Sequence, residues 1–210
     1  MNINISTKLD DAIDVIKNGG IVITKTDTIY GILANALDKE AIEKIYVIKE
    51  REKNKPFIIL IPNTKFLKKF KVKENPQAEK ILNLKGITVI FDVNDPNNEL
   101  EYLHRGTKTL AFRIPDDPEF LGFLNKLDTP IVAPSANPSG LTPAEDIHKA
   151  IEYFKAKVDL YIDRGKSETN IPSTIVKVEN SKIKILRQGS KQIDLAWEVR
   201  EISRYFLHQP

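Results

Sequence analysis

Six short stretches of this chain carry residue types that could do chemistry, and each borders an apolar run. Lys25-Thr26-Asp27-Thr28-Ile29-Tyr30-Gly31 comes straight off Ile21-Val22-Ile23-Thr24, which reads as a buried strand. Its two threonine hydroxyls and one carboxylate could hold a small polar ligand at a sheet edge, or form a polar turn in which Asp27 bonds its own backbone. Lys49-Glu50-Arg51-Glu52-Lys53-Asn54-Lys55-Pro56 places four cations in seven residues. They could grip the oxygens of a triphosphate; equally, Glu50 and Glu52 offset half the charge and the run could be a solvated helix end. Arg113 ends an apolar strand before Ile114-Pro115-Asp116-Asp117-Pro118. It could take a substrate carboxylate through two parallel bonds or pair with Asp116 or Asp117, and Thr109 shares its strand face. Ser135-Ala136-Asn137-Pro138-Ser139-Gly140 offers backbone amides suited to a phosphate, or an ordinary tight turn. Ser173-Thr174 opens one strand and Arg187-Gln188-Gly189 ends another, and both would pass as surface turns.

Composition narrows the chemistry. The 210 residues contain no cysteine, which excludes disulfides, thiolate catalysis and sulfur-ligated metals. The three histidines, His104, His148 and His208, are far apart in the sequence, so no metal site is expected. Neither GxxxxGK[ST] nor GxGxxG occurs, and a nucleotide site must be built another way. With 32 basic and 29 acidic residues the net charge is +3, which permits a local basic cleft without demanding one. No apolar run approaches the ~20 residues of a membrane span, and the opening MNINISTKLDDAI has no signal-peptide pattern. A cytoplasmic protein is expected.

The elements that must hold these loops follow from apolar periodicity. Helices are predicted near Leu9 to Lys17, from a cap at Asp38 through Ile42, Ile45, Tyr46 and Lys49, near Asn75 to Leu82, near Glu119 to Leu127, and over Leu195 to Phe206. Thr142-Pro143-Ala144-Glu145 resembles a capping box with proline in first helical position, opening a helix through Ile147, Ile151 and Phe154. Strands are predicted at Ile21 to Thr24, Phe57 to Ile61, Ile87 to Val93, Thr109 to Ile114, Pro130 to Ala133, Val158 to Ile162 and Thr174 to Val178. The last strand pairs with Ile183 to Leu186 through a turn at Asn180-Ser181. Helices and strands mix without strict alternation, which favours an α/β fold with a twisted mixed β-sheet and packed helices. No repeat or linker is visible, and one domain over 1–210 is expected.

In order and in register, these segments resemble the threonylcarbamoyl-AMP synthases with the YrdC-type fold. The family loop reads approximately PTDTVYGLGADA, matched by KTDTIYGILANA at Lys25 to Ala36. Its KGRPxxNPLIVH block is matched by KEREKNKPFIIL, Lys49 to Leu60, and its VAVRxP strand by Leu110 to Pro115. Its APSANxSG block is matched by Ala133 to Gly140, and its ESTIVD and LRPG end by PSTIVK and LRQG. The likeness covers roughly residues 8 to 190, and five matches in register are highly specific.

The resemblance implies a sheet whose concave face is a basic cleft. It implies ATP contacts at Arg51, Lys55, Thr109, Ser135, Pro143 and Arg187, and threonine contacts at Thr28, Arg113, Ala133 (through its backbone) and Ser173. It also implies catalytic charge neutralisation by Lys49 and Arg51. The implied reaction joins L-threonine, bicarbonate and ATP into threonylcarbamoyl-AMP and pyrophosphate, with Mg2+ carried on the phosphates. A downstream transferase would pass the product to tRNA, and tRNA or another structured RNA is a candidate partner. The length resembles the short single-domain form. Several positions depart from the pattern: Lys25 for proline, Glu50 and Glu52 for the glycine and proline of KGRP, and Pro172 for glutamate. Leu60 stands where many members carry a threonine-contacting histidine. Two rival readings are an RNA-binding module without synthase activity and a carbamoyl-phosphate enzyme, the latter disfavoured by the short, cysteine-free chain.

Overall fold

The computed structural model describes residues 3–169 and 171–193. The helix predicted over Leu195 to Phe206 lies outside them. The strands are β1 (Ile5–Ser6), β2 (Val22–Lys25), β3 (Tyr30–Asn35), β4 (Ile58–Leu60), β5 (Ile87–Asp92), β6 (Thr109–Arg113), β7 (Ile131–Val132), β8 (Leu160–Ile162), β9 (Thr174–Glu179) and β10 (Lys182–Arg187). The helices are α1 (Ala12–Lys17), α2 (Lys39–Lys49), α3 (Pro76–Asn83), α4 (Glu101–His104), α5 (Pro118–Leu127) and α6 (Ile147–Phe154).

The strands form one mixed sheet in the order β1-β8-β2-β3-β7-β4-β6-β5-β9-β10. β4 runs parallel to β6 and antiparallel to β7, and β5 runs parallel to β9 and antiparallel to β6. Consecutive residues of a strand point to opposite faces. Accordingly, Ile59 joins a core with Ile45 and Tyr46 of α2, Ile81 of α3 and Phe154 of α6, while Leu60 joins a second with Ile16 of α1 and Phe123 of α5. Helices therefore cover both faces, and the continuous apolar run around β4 has a partner layer on each side.

Local chemistry sets the element ends. Asp38 accepts from the amides of Glu40 and Ala41, capping α2 at its start. α2 stops where Glu50 takes a left-handed conformation, φ 52°. The β9–β10 hairpin turns through Asn180 and Ser181, both left-handed, as a tight hairpin turn requires.

Two expectations need correction, and two elements are not among those expected. The segment from Thr142 to Glu145 opens no helix: α6 starts at Ile147, capped by Asp146, whose carboxylate accepts from the Lys149 amide at 2.8 Å. The Ala144 amide instead donates back to the Ala136 carbonyl at 2.9 Å, holding Pro143 in the preceding loop. Leu9 to Asp11 is a 3-10 turn rather than the first turn of α1. β3 is an addition to the predicted strands, hidden in the sequence because Gly31 interrupts its apolar run. The segment from Thr64 to Phe70 is a 3-10 helix that burial of Phe66, Leu67 and Phe70 holds in place.

Candidate active site

Four loops and three strand ends surround one open cleft of about 240 Å³. The loop between β2 and β3 contributes Thr26, Asp27, Thr28 and Ile29; the loop after α2 contributes Arg51, Pro56 and Phe57. Ala133, Pro134 and Ser135 follow β7, Leu60 and Arg113 end β4 and β6, and Pro172, Ser173 and Arg187 close the far side.

Backbone pairing places these loops. The Ile32 amide donates to the Pro134 carbonyl and the Ala136 amide to the Tyr30 carbonyl, each at 2.8 Å. A Cβ on Gly31 would approach Thr26 Cγ2 to 3.1 Å, so the small residue lets the Thr26 turn fold tightly back on β3. Thr26 Oγ1 donates to the Ile29 carbonyl at 2.8 Å, which folds the Asp27 turn over.

Arg113 is the most constrained group. Its Nε and Nη2 donate to the two oxygens of Asp27 at 3.3 and 2.7 Å, and Nη1 donates to the Gly86 carbonyl at 2.5 Å. Asp27 also accepts from the Asp116 amide at 2.8 Å. Both side chains of the pair are nearly fully buried. Arg113 thus pairs with neither Asp116 nor Asp117 through their carboxylates, and Asp27 is an anchor rather than a self-bonded turn residue. The end of the guanidinium opposite Asp27 still carries N–H bonds that an incoming carboxylate could accept.

Arg187 donates through Nε and Nη2 to the Ser173 carbonyl at 3.0 and 2.8 Å. Ser173 Oγ shares a hydrogen bond with Thr88 Oγ1 at 2.7 Å. Burial, then the neighbouring Arg113 charge, lowers the Arg187 pKa; burial likewise lowers that of Arg51. Among the described residues lining the cleft, three guanidiniums face one carboxylate, and that carboxylate is already paired. The cleft is therefore built to receive anions.

Lys49 ends α2 behind this wall, 2% exposed. Its ammonium donates to the carbonyls of Ser135 and Asn137, the second at 2.6 Å, and the Ser139 amide returns a bond to the Lys49 carbonyl at 2.8 Å. Burial, then the Arg51 charge, pushes the Lys49 pKa down to about 7. Asn137 Oδ1 is buried without a partner, an acceptor left open beside the cleft.

Seven of the residues that the sequence pattern singled out line the cleft together: Thr28, Arg51, Arg113, Ala133, Ser135, Ser173 and Arg187. Lys55, Thr109 and Pro143 do not line it. Lys55 pairs with Glu52 at 2.9 Å, and Thr109, at the far end of β6, donates to Thr107 Oγ1 at 3.1 Å. Sequence reasoning missed the anchoring role of Asp27 and the apolar wall of Ile58 and Ile175.

The family model Sua5/YciO/YrdC, described as "Telomere recombination", matches residues 14–189. The chain belongs to the Sua5/YciO/YrdC family. A Methanocaldococcus jannaschii member, assigned to the threonylcarbamoyl-AMP synthases, is 36% identical over 178 residues, 83% of this chain and 82% of that one. The Pyrococcus abyssi threonylcarbamoyl-AMP synthase is 30% identical over 189 residues, 89% of this chain and 55% of that one. The crystal structure of Pyrococcus abyssi Sua5 complexed with L-threonine superposes with a TM-score of 0.81 at 26% identity, over 97% of this chain and 60% of that one. This family member thus spans little more than half the length of the Pyrococcus protein.

Proposed function

We propose that this chain is an L-threonylcarbamoyladenylate synthase, a nucleotidyltransferase that condenses L-threonine, bicarbonate and ATP into threonylcarbamoyl-AMP and pyrophosphate for modification of tRNA. The observation that carries the reading is the convergence of Thr28, Arg51, Arg113, Ala133, Ser135, Ser173 and Arg187 on one cation-rich cleft. The synthases named among its relatives supply the reaction.

In this reading the threonine amine adds to bicarbonate with loss of water, giving an N-carboxylate. That carboxylate attacks the α-phosphorus of ATP and pyrophosphate leaves. No covalent enzyme intermediate is needed. Orientation of the reactants and fixed positive charge supply the acceleration, of which good alignment alone gives up to ~7–11 kcal/mol. The free end of Arg113 takes the threonine carboxylate, with Thr28, Ser173 and the Ala133 backbone around it. Arg51, Ser135 and Arg187 meet the phosphates. Lys55, Thr109 and Pro143 would be reached only by parts of ATP that extend past the cleft. Lys49 acts from behind, holding the Ser135–Asn137 loop. Among the described residues no group of three or more His, Asp or Glu side chains could hold a metal, and the lone cleft carboxylate, Asp27, is committed to Arg113. Magnesium would therefore ride on the ATP oxygens, where it neutralises phosphate charge.

No helix among the described residues is long and apolar enough to cross a membrane. The reading takes residues 1–210 as one catalytic domain of a cytoplasmic protein, handing its product to a tRNA-modifying transferase and with structured RNA as a candidate partner. The test is pyrophosphate release with threonine and bicarbonate each omitted in turn. Release requiring both supports the synthase; equal release without threonine refutes it. RNA affinity that falls steeply with salt, without any pyrophosphate release, would support the binding-module alternative.

A further inference from the structure

The loop 50–56 is a wall between two depressions. Arg51 and Pro56, with the adjoining Phe57, line the cleft, while Lys53 and Asn54 line a second, open groove with Glu43, Tyr102 and Arg105. An unbroken stack runs between the two sides through α2. Arg105 lies over the Tyr46 ring, its Cζ 4.1 Å from the centroid. Tyr46 stacks on Phe57 with centroids 4.2 Å apart and planes inclined by 23°. Arg51 Cζ lies 5.4 Å from the Phe57 centroid on the cleft side. Cation, ring, ring and cation thus follow one another from the groove to the cleft.

Hydrogen bonds lock the same assembly. The Tyr46 hydroxyl donates to the Lys55 carbonyl at 2.9 Å, and Arg51 Nε donates to that same oxygen at 3.3 Å. Glu43 accepts from Arg105 Nη2 at 2.6 Å and pairs with Lys53 at 3.4 Å, so one α2 carboxylate ties both the stack and the loop. Arg105 Nε is buried without a hydrogen-bond partner. Its guanidinium is committed to Glu43 and to the Tyr46 face, where desolvation strengthens the cation–π attraction. Without such support Arg51 would sample many rotamers on a polar loop, and a phosphate would have to order it on binding.

We infer that Tyr46 and Arg105 are positioning residues for Arg51. They touch no substrate; they fix the Lys55 carbonyl and the Phe57 ring against which Arg51 is aimed. The inference rests on the ATP role proposed above for Arg51.

The experiment measures ATP and threonine KM, kcat for pyrophosphate release and Tm in Tyr46→Phe, Arg105→Met, Arg51→Ala and the two doubles with Arg51→Ala. Tyr46→Phe keeps the ring and removes one donor, so ATP KM is expected to rise roughly two- to tenfold with threonine KM unchanged. Arg105→Met is expected to act in the same direction. In the doubles neither change adds to the ATP KM of Arg51→Ala, because each acts only through that side chain. A merely structural role would lower Tm while leaving ATP KM alone, or would add to the ATP KM of Arg51→Ala, and either outcome overturns the inference. If Arg51→Ala itself leaves ATP KM unchanged, the phosphate role of Arg51 falls and this inference falls with it. If Arg51→Ala raises ATP KM while Tyr46→Phe does not, only the inference falls. Should Arg105→Met not fold, Tyr46→Phe decides alone.

Discussion

Lys49 Nζ donates to the main-chain carbonyl of Asn137 at 2.6 Å, joining the last residue of α2 to the loop after β7 across 88 residues of chain. A neutral amine keeps enough N–H bonds for this carbonyl and that of Ser135. Burial holds the folded pKa at about 7, against an ordinary 10.5. Between those values the unfolded chain binds a proton that the native state has released, so the stability contributed by Lys49 rises with pH across the window. Below about pH 7 the native state must bury an ammonium and the cost is complete. Urea unfolding of wild type and Lys49→Met is expected to show the wild type gaining on the variant as pH rises from about 7 to about 9. Parallel pH profiles would contradict the assignment.

Arg113 and Asp27 give a second test. Arg113→Lys keeps the charge but cannot present a planar fork to Asp27 and a substrate carboxylate together. Threonine KM is expected to rise about tenfold or more, with ATP KM close to wild type. Asp27→Asn leaves a buried guanidinium without its counter-charge and is expected to lower the unfolding free energy by about 3–5 kcal/mol. An Asp27→Asn variant as stable as wild type would show the pair to be dispensable.

Leu60 is the register partner of Arg113 on the adjacent strand and lines the cleft, so it stands beside the proposed carboxylate site. It offers apolar surface where a polar partner would read the threonine hydroxyl. Leu60→His is expected to improve the preference for threonine over valine roughly two- to tenfold. Comparing threonine, serine and valine kinetics in both proteins measures it; unchanged preference would reduce Leu60 to packing.

Glu50 occupies a left-handed conformation at φ 52° where the family pattern carries glycine. A side chain there strains against its own carbonyl by about 1–2 kcal/mol. Glu50→Gly is expected to raise the unfolding free energy by about 1 kcal/mol, less any gain in unfolded-chain entropy. A destabilised variant would mean that the carboxylate has a compensating role.

Gly189 has no room for a side chain. A Cβ would lie 2.1 Å from the Pro172 carbonyl oxygen and 2.5 Å from the Thr174 amide nitrogen, both rigid backbone. Gly189→Ala is therefore expected to push the Arg187 segment off Ser173, lowering Tm and raising KM for ATP and threonine. Wild-type Tm and kinetics would refute this.

The cleft is legible in the order of five motif blocks along the chain, because each block is a loop fixed to a strand end. Pairings between residues far apart in sequence are not legible there. Nothing near Asp27 indicates that its partner lies 86 residues away, and the nearer Asp116 and Asp117 are the simpler partners for Arg113 on sequence grounds. The pattern from Thr142 to Glu145 misleads for a related reason. It satisfies a helix-start rule locally, but the Ala144 amide is satisfied by Ala136, and burial of Ala144 fixes the chain in that course. In sequence Lys49 is one cation of a charged run that could grip phosphate or be solvated, yet α2 aims it inward onto the Ser135 and Asn137 carbonyls. Tyr46 and Arg105 leave no motif at all, since a ring stack has no fixed spacing.

The strand order also governs when the site can come into being. β2 and β3 form a hairpin at once, but β3 must wait for β7, nearly one hundred residues later, and β1 for β8. During synthesis, β2, β3 and β4 emerge with apolar faces whose neighbours are still untranslated, and Arg113 appears long before Arg187 and Ser173. Such non-local pairing slows folding and prolongs exposure of sticky strands. The cleft is completed only when β10 docks, so a ribosome-bound chain short of Arg187 would bind neither ATP nor threonine well, and the β9–β10 hairpin acts as the assembly step that turns a folded sheet into a working protein.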